Sequence, residues 1–270
     1  MSLKILYITQ EITPFLPETN MSVICRRLPQ AIQEKRKEIR TFLPRYGCIN
    51  ERRNQLHEVI RLSGMNIVIN DVDFPLQIKV ASVQTARMQF YFIDNDIHFS
   101  RKFQFKDNNG NEFEDNDERS LFFIRGIIET IKKLSWKPDI IHCHGWFSAF
   151  APYMFKKVYN NNPLFYDNPK VIFSVYNDIF GNPLNKKLAN KIATNAKPED
   201  VEILLDPTWE NVNKFAIQYS DAVVFAEDNI NQNLKNFAEN NNKHILLNVP
   251  IDQFNIYNDF YEKLHENKYL

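Results

Sequence analysis

The sequence predicts an α/β fold: one domain built on a parallel sheet of crossover units, with a β-hairpin insertion. Three observations point there. Short β-rich runs alternate with longer stretches at helical spacing, the period shortens to two between Gln55 and Ile93, and polar side chains follow directly on the strand ends. In an open parallel sheet those ends converge on a crevice, where loops and helix N-termini meet ligands.

The sheet strands read in order as Lys4–Ile8, Ile39–Leu43, Asp139–His142, Val171–Val175, Ala222–Phe225 and His244–Leu247. Between the first two lies a helix from Asn20 to Lys37, with Met21, Ile24, Leu28, Ala31 and Ile32 on one face and a kink expected at Pro29. Residues 77–83 and 88–93 alternate apolar with polar side chains, as antiparallel hairpins inserted after the second strand would. The polar loop Lys106 to Asn111 contains Asn109-Gly110, a turn signal. A second helix, Asn116 to Leu134, opens on Asp115, Asp117 and Glu118, which suit its positive end, and buries Leu121, Ile124, Ile128, Ile131 and Leu134. Residues 160–191 are rich in Asn and Pro and read as loops around one strand. The tail, 251–270, spaces Phe254, Tyr257, Phe260, Tyr261 and Leu264 as an amphipathic helix packed back on a domain of residues 1–250.

With 270 residues, 44% apolar and 24% charged, the chain can bury a sizeable core without a disulfide or metal staple. The 33 basic side chains are matched by 33 acidic ones, so there is no cationic surplus for a nucleic-acid partner. Cys25, Cys48 and Cys143 are odd in number and scattered, which fits neither a disulfide framework nor a Cys-rich zinc site and implies a reducing cytoplasm. The N-terminus lacks a signal-peptide pattern, and no run approaches the ~20 apolar residues of a membrane helix. A cytoplasmic protein away from any membrane is expected.

Chemistry is sought just past each strand, at Gln10 and Glu11, at His142, Cys143 and His144, at Asn177 and Asp178, and at Glu227 and Asp228. His142 and His144 invite a metal reading, but two donors do not make a site, and His57, His98, His244 and His265 add no ligand spacing. No metal is expected. The chain contains none of GxGxxG, GxxxxGK[ST] or GxSxG, and its six glycines leave little for a phosphate-cradling loop. No cofactor is expected either. The carboxylate pairs Asp94/Asp96 and Asp115/Asp117 read as solvated caps. An acid/base pair of Glu11 and His144 in an unrelated enzyme is a further reading, and it requires a perturbed His144 titration.

Seven blocks in register resemble one family. They are Glu11-x-x-Pro14-Phe15, Leu28-Pro29, Leu43-Pro44-Arg45-Tyr46, Tyr91-Phe92-Ile93-Asp94-Asn95, Asp115-Asn116-Asp117-Glu118-Arg119, Trp136-x-Pro138-Asp139-Ile140-Ile141-His142-x-His144-x-Trp146 and Ser220-Asp221-Ala222-Val223. Their order and spacing are similar to the N-terminal half of the bacterial glycogen and plant starch synthases, which transfer glucose from ADP-glucose to a glucan. The resemblance implies a Rossmann-like domain, the first of two that enclose the active site of such glycosyltransferases, and it implies a nucleotide sugar or an α-glucan as ligand.

Departures from the family pattern fall on the crevice side. Pro17-Glu18-Thr19-Asn20-Met21 stands where the family has Lys-x-Gly-Gly-Leu, and Val23 where it has an acid. Gly145-Trp146-Phe147 replaces Asp-Trp-His, and Tyr176-Asn177 replaces His-Asn. Glu11, Trp146 and Asn177 are retained, and with His142 and His144 they are the candidate substrate-binding residues; no catalytic residue is assigned. Such a chain is expected to be catalytically silent, a binding or regulatory module of glucan metabolism, with a protein partner over the open crevice face as a further candidate ligand. The alternative is an active glucosyltransferase completed by a dimer partner or a separate second-domain chain.

Overall fold

The computed structural model describes residues 2–83, 86–192 and 196–267. In chain order the elements are β1 (Lys4–Thr9), α1 (Asn20–Glu34), β2 (Glu38–Pro44), β3 (His57–Glu58), β4 (Met65–Ile69), β5 (Val72–Val83) and β6 (Met88–Asp94). There follow α2 (Asp96–Phe99), α3 (Asn116–Lys133), β7 (Ile140–His144), α4 (Ala151–Tyr153), β8 (Lys170–Val175), α5 (Leu188–Lys191) and α6 (Pro198–Val201). The last are α7 (Trp209–Tyr219), β9 (Ala222–Phe225), α8 (Gln232–Asn240), β10 (His244–Leu246) and α9 (Asn255–His265).

The strands form one mostly parallel sheet in the order β10-β9-β8-β7-β1-β2-β6-β5-β3, with β4 paired to β5. From β10 to β6 all neighbours run parallel, and β5 turns antiparallel to β6. The chain leaves β1 towards β2 and later returns to β7 on the other side of β1. That reversal is the topological switch point at which such sheets open a crevice. The central strands are mostly apolar and largely buried, as expected of a parallel sheet covered by helices on both faces.

Alternation along the strands assigns those faces. Tyr7, Thr41 and Phe90 share one register row, which faces α1 and α9. Ile8, Phe42 and Tyr91 point the other way, as does Ile93, on which α3 packs closely at Gly126. α9 buries Tyr257, Phe260, Tyr261 and Leu264. Burial of Phe260 and Leu264 alone contributes roughly 3–6 kcal/mol to holding it there.

Several boundaries differ from the sequence reading. α1 ends at Glu34 rather than Lys37, because Arg36 takes a left-handed conformation with φ of 63°. The helix continues through Pro29, which it buries, as one unbroken element. The period-two region does contain antiparallel hairpins, but β6 also pairs with β2 in parallel, so the excursion widens the main sheet. β7 extends to His144 rather than His142, and both imidazoles therefore lie within the strand instead of beyond it. Of the tail segment 251–270, residues 268–270 lie outside the described residues.

Candidate functional site

Beyond the C-terminal ends of β1 and β7 a cavity of about 340 Å³ opens. Glu11, Trp146 and Asn177 line it together with Gln10, Asp178 and Glu227. His142 and His144 do not: they point under α9.

The first wall is the segment between β1 and α1. A helix N-terminus offers unsatisfied N–H groups to an anion. Here a capping box answers part of that demand: the Ser22 N–H donates to Thr19 Oγ1 at 3.0 Å and the Thr19 N–H to Ser22 Oγ at 2.8 Å. The Thr19 hydroxyl in turn donates to the Glu11 carboxylate. Burial pushes the Glu11 carboxyl above its usual range, opposed by hydrogen bonds from Thr19 and Gln104. Asn20 turns its amide to Glu227, at 3.3 Å.

The second wall starts at Gly145, which follows β7 with φ of 78° and ψ of 165°, a backbone conformation that is almost exclusively glycine's. A Cβ built there would sit 2.4 Å from Gln10 Oε1 and 2.8 Å from Asp178 Oδ2. Those two oxygens cap the helical turn Trp146–Ser148 from outside it. The Phe147 N–H donates to Gln10 Oε1 at 3.0 Å and the Trp146 N–H to Asp178 Oδ2 at 2.9 Å. Burial raises the Asp178 carboxyl to about 7, although the Trp146 N–H and the Trp209 indole, 3.3 Å away, favour its ionised form.

The third wall is the segment after β8, which carboxylates pin in place. The Asn177 N–H donates to Glu227 at 2.8 Å, and the Gly181 and Asn182 N–H groups donate to Glu112 at 2.7 and 2.9 Å. Phe180 meets the Trp146 ring at 4.9 Å, and Phe105 meets it from another side at 5.0 Å. The lining thus carries four carboxylates, those of Glu11, Glu112, Asp178 and Glu227, against the ammonium of Lys106, itself 3.6 Å from Glu112.

His142 and His144 form a separate buried network, with ring centroids 4.0 Å apart. His142 Nδ1 lies 2.6 Å from the Tyr261 hydroxyl of α9 and Nε2 lies 2.7 Å from Ser174 Oγ. His144 Nδ1 lies 3.0 Å from the Tyr176 hydroxyl, and its Nε2 has no partner. Burial takes the His144 imidazole down to about 3 and holds His142 well below its usual value, with His144 adding to the effect. The titration of His144 is perturbed, but by burial and not by Glu11. Among the described residues no group of three or more His, Cys, Asp or Glu side chains could hold a metal ion. No described helix is long and apolar enough to cross a membrane.

The sequence pointed to Glu11, Trp146 and Asn177, and the fold brings these three together. Glu112 was missed, because nothing local marks an acid beyond a turn as the anchor of a segment 69 and 70 residues away. Gln10, Asp178 and Glu227 were visible as rim residues, but their capping and pinning roles were not.

Residues 4–248 match the family described as the starch synthase catalytic domain. A glycogen synthase of Chlorobium limicola is 36% identical over 211 residues, which is 78% of this chain and 42% of that protein. A glycogen synthase of Pelodictyon phaeoclathratiforme is 32% identical over 243 residues, 87% of this chain and 49% of that protein. The chain therefore spans less than half the length of these curated relatives. Among solved structures, the catalytic domain of Starch Synthase IV from Arabidopsis thaliana bound to ADP and acarbose aligns with a TM-score of 0.75 over 92% of this chain and 52% of that one, at 18% identity, a likeness of fold. The fold, the family match and the relatives converge: the chain belongs to the starch synthase catalytic-domain family.

Proposed function

We propose that this protein is a catalytically silent member of its family, a binding module of glucan metabolism whose crevice takes an uncharged α-glucan and rejects nucleotide sugars. One observation carries the reading: the crevice lining presents the carboxylates of Glu11, Glu112, Asp178 and Glu227 where a diphosphate would need cations, and a capping box takes up the Ser22 N–H of α1. Phosphoryl oxygens are held by pre-placed cations and unoccupied N–H groups. Pro17 replaces the family's lysine, the capping box takes up the Ser22 N–H at the N-terminus of α1, and Glu11 and Glu227 add like charge to that of a phosphate.

Gly145 supports the same conclusion. The family's Asp-Trp-His places a carboxylate at this position, whereas here the backbone is in a conformation that a side chain strains and the space is filled by Gln10 and Asp178. The mixed amide, carboxylate and hydroxyl lining suits the hydroxyls of a neutral sugar. The free thiols of Cys25, Cys48 and Cys143 fit a cytoplasmic home.

Calorimetry of the purified chain against ADP-glucose, UDP-glucose and maltooligosaccharides tests this. Saturable binding of the oligosaccharide alone is the expected result. Tight binding of either nucleotide sugar contradicts the crevice reading. Turnover that rises with protein concentration or on adding a second-domain chain favours an enzyme completed by a partner.

A further inference from the structure

Away from the crevice, a cavity of about 560 Å³ opens between α3, β4 and the turn that follows α4. It lies within the range of about 300–1,000 Å³ usual for small-molecule sites. Arg125 of α3 lines it. Its guanidinium donates to the carbonyls of Val68, Lys191 and Ile192, the last two at 3.1 and 3.2 Å. A guanidinium has five N–H groups, and the Nε–H of Arg125 meets no acceptor among the described residues.

No carboxylate among the described residues stands within ion-pair distance of Arg125, so neutral carbonyl dipoles alone balance its charge. Glu129, one turn further along α3, also lines the cavity, and its carboxylate is engaged by Lys132 at 2.7 and 2.8 Å. A second cation, the half-exposed Lys157, lines the same cavity, 3.5 Å from Asp200. Tyr153, Tyr159, Asn66 and Asn161 contribute hydroxyl and amide groups to the lining. Where the crevice lining carries four carboxylates, this cavity carries a partly buried guanidinium with no carboxylate partner, beside a lysine and a glutamate that are each already paired.

We propose that this cavity is a second ligand site, which binds a small phosphate monoester through Arg125 and Lys157 and holds its polar body against Tyr153, Tyr159 and the two asparagine amides. The planar fork of Arg125 suits phosphate oxygens, and a lysine nearby adds a point charge. The pairing also supplies the anion that the partly buried guanidinium lacks. The site is independent of the crevice reading, since it shares no lining residue with the crevice.

The test is titration calorimetry of the full chain with glucose 1-phosphate, inorganic phosphate and glucose at low ionic strength. Saturable binding of glucose 1-phosphate, weaker binding of inorganic phosphate and none of glucose are expected. Lys157→Gln, on a half-exposed side chain, weakens glucose 1-phosphate binding about tenfold. Arg125→Lys, which keeps the charge and loses the fork, weakens it at least as much, and Lys263→Gln, at an exposed position of α9 that lines neither cavity, leaves it unchanged. The proposal is overturned if neither phosphate binds saturably, if Lys157→Gln or Arg125→Lys leaves the affinity intact, or if Lys263→Gln weakens it as much as they do. The crevice reading fails on a different result, the tight binding of ADP-glucose.

Discussion

Two environments meet at the end of β7 and handle their polar groups in opposite ways. Under α9, His142 and His144 are sealed among tyrosine and serine hydroxyls and kept neutral. A few residues on, at the crevice, Gln10, Asp178 and Glu227 accept backbone N–H groups and reach a polar cavity. The histidine side helps pin α9 to the sheet, the crevice side caps and pins the segments around the cavity, and the two respond to pH with opposite sign.

The strongest way to break the comparison is at Gly145, on the border between the two. Gly145→Asp, which restores the family's carboxylate, forces a side chain into a conformation costing about 1–3 kcal/mol and drives Cβ into Gln10 and Asp178. A loss of about 3 kcal/mol or more in urea denaturation is expected, with no gain of glucosyl transfer. Wild-type stability with acquired transfer would show that the backbone is not committed.

Acid sharpens the histidine side. His144 has a folded value of about 3 against 6.5 for the ordinary imidazole, so below pH 6.5 the unfolded chain binds a proton that the folded chain refuses. Stability is lost as pH falls through that window, by about 2 kcal/mol between pH 7 and 5. His144→Gln flattens this dependence in a series of denaturation curves; an unchanged slope would place the titrating group elsewhere.

Asp178 runs the other way. Its folded value of about 7 lies above the ordinary 3.8, so the folded chain holds the extra proton and stability declines as pH rises from about 4 to 7. Asp178→Asn, which still offers an oxygen to Trp146, removes that decline and raises Tm at pH 8 by about 2–4 °C, the equivalent of about 1 kcal/mol. Equal melting of variant and wild type at pH 8 would contradict it.

The smallest effect is expected at the other wall. Thr19→Ala removes both the cap and the donor to Glu11 and costs about 0.5–1 kcal/mol. If the variant also gains affinity for ADP, the capping box is what blocks the N-terminus of α1. No gain would leave the neighbouring carboxylates as the barrier.

Much of the fold was legible because it is written in short-range patterns. The runs at Lys4–Thr9 and Ala222–Phe225 are apolar enough to be strands buried on both faces, and the stripe from Leu121 to Ile131 has helical period. What escaped depends on contacts distant in sequence. His142 and His144 read as rim residues because β7 looked two residues shorter, and only the register against Tyr7 and Ser174 shows which face they take. The pairing of β6 with β2 is likewise invisible to alternation, which reports that a segment is a strand and not which neighbour it finds. At the crevice, Glu11 and Asn177 could be picked out by their place just past strand ends, and Trp146 by the family resemblance. The pinning of Asn177, Gly181 and Asn182 by Glu227 and Glu112 could not, because it joins segments 50 to 70 residues apart.

The claim that the crevice has lost its grip on diphosphates is tested most directly by incubating the purified 270-residue chain with radiolabelled ADP-glucose and glycogen and counting label in the precipitated polymer. The account predicts incorporation at the level of the blank at every protein concentration. Incorporation in proportion to the isolated chain, abolished by Glu11→Gln, would contradict it.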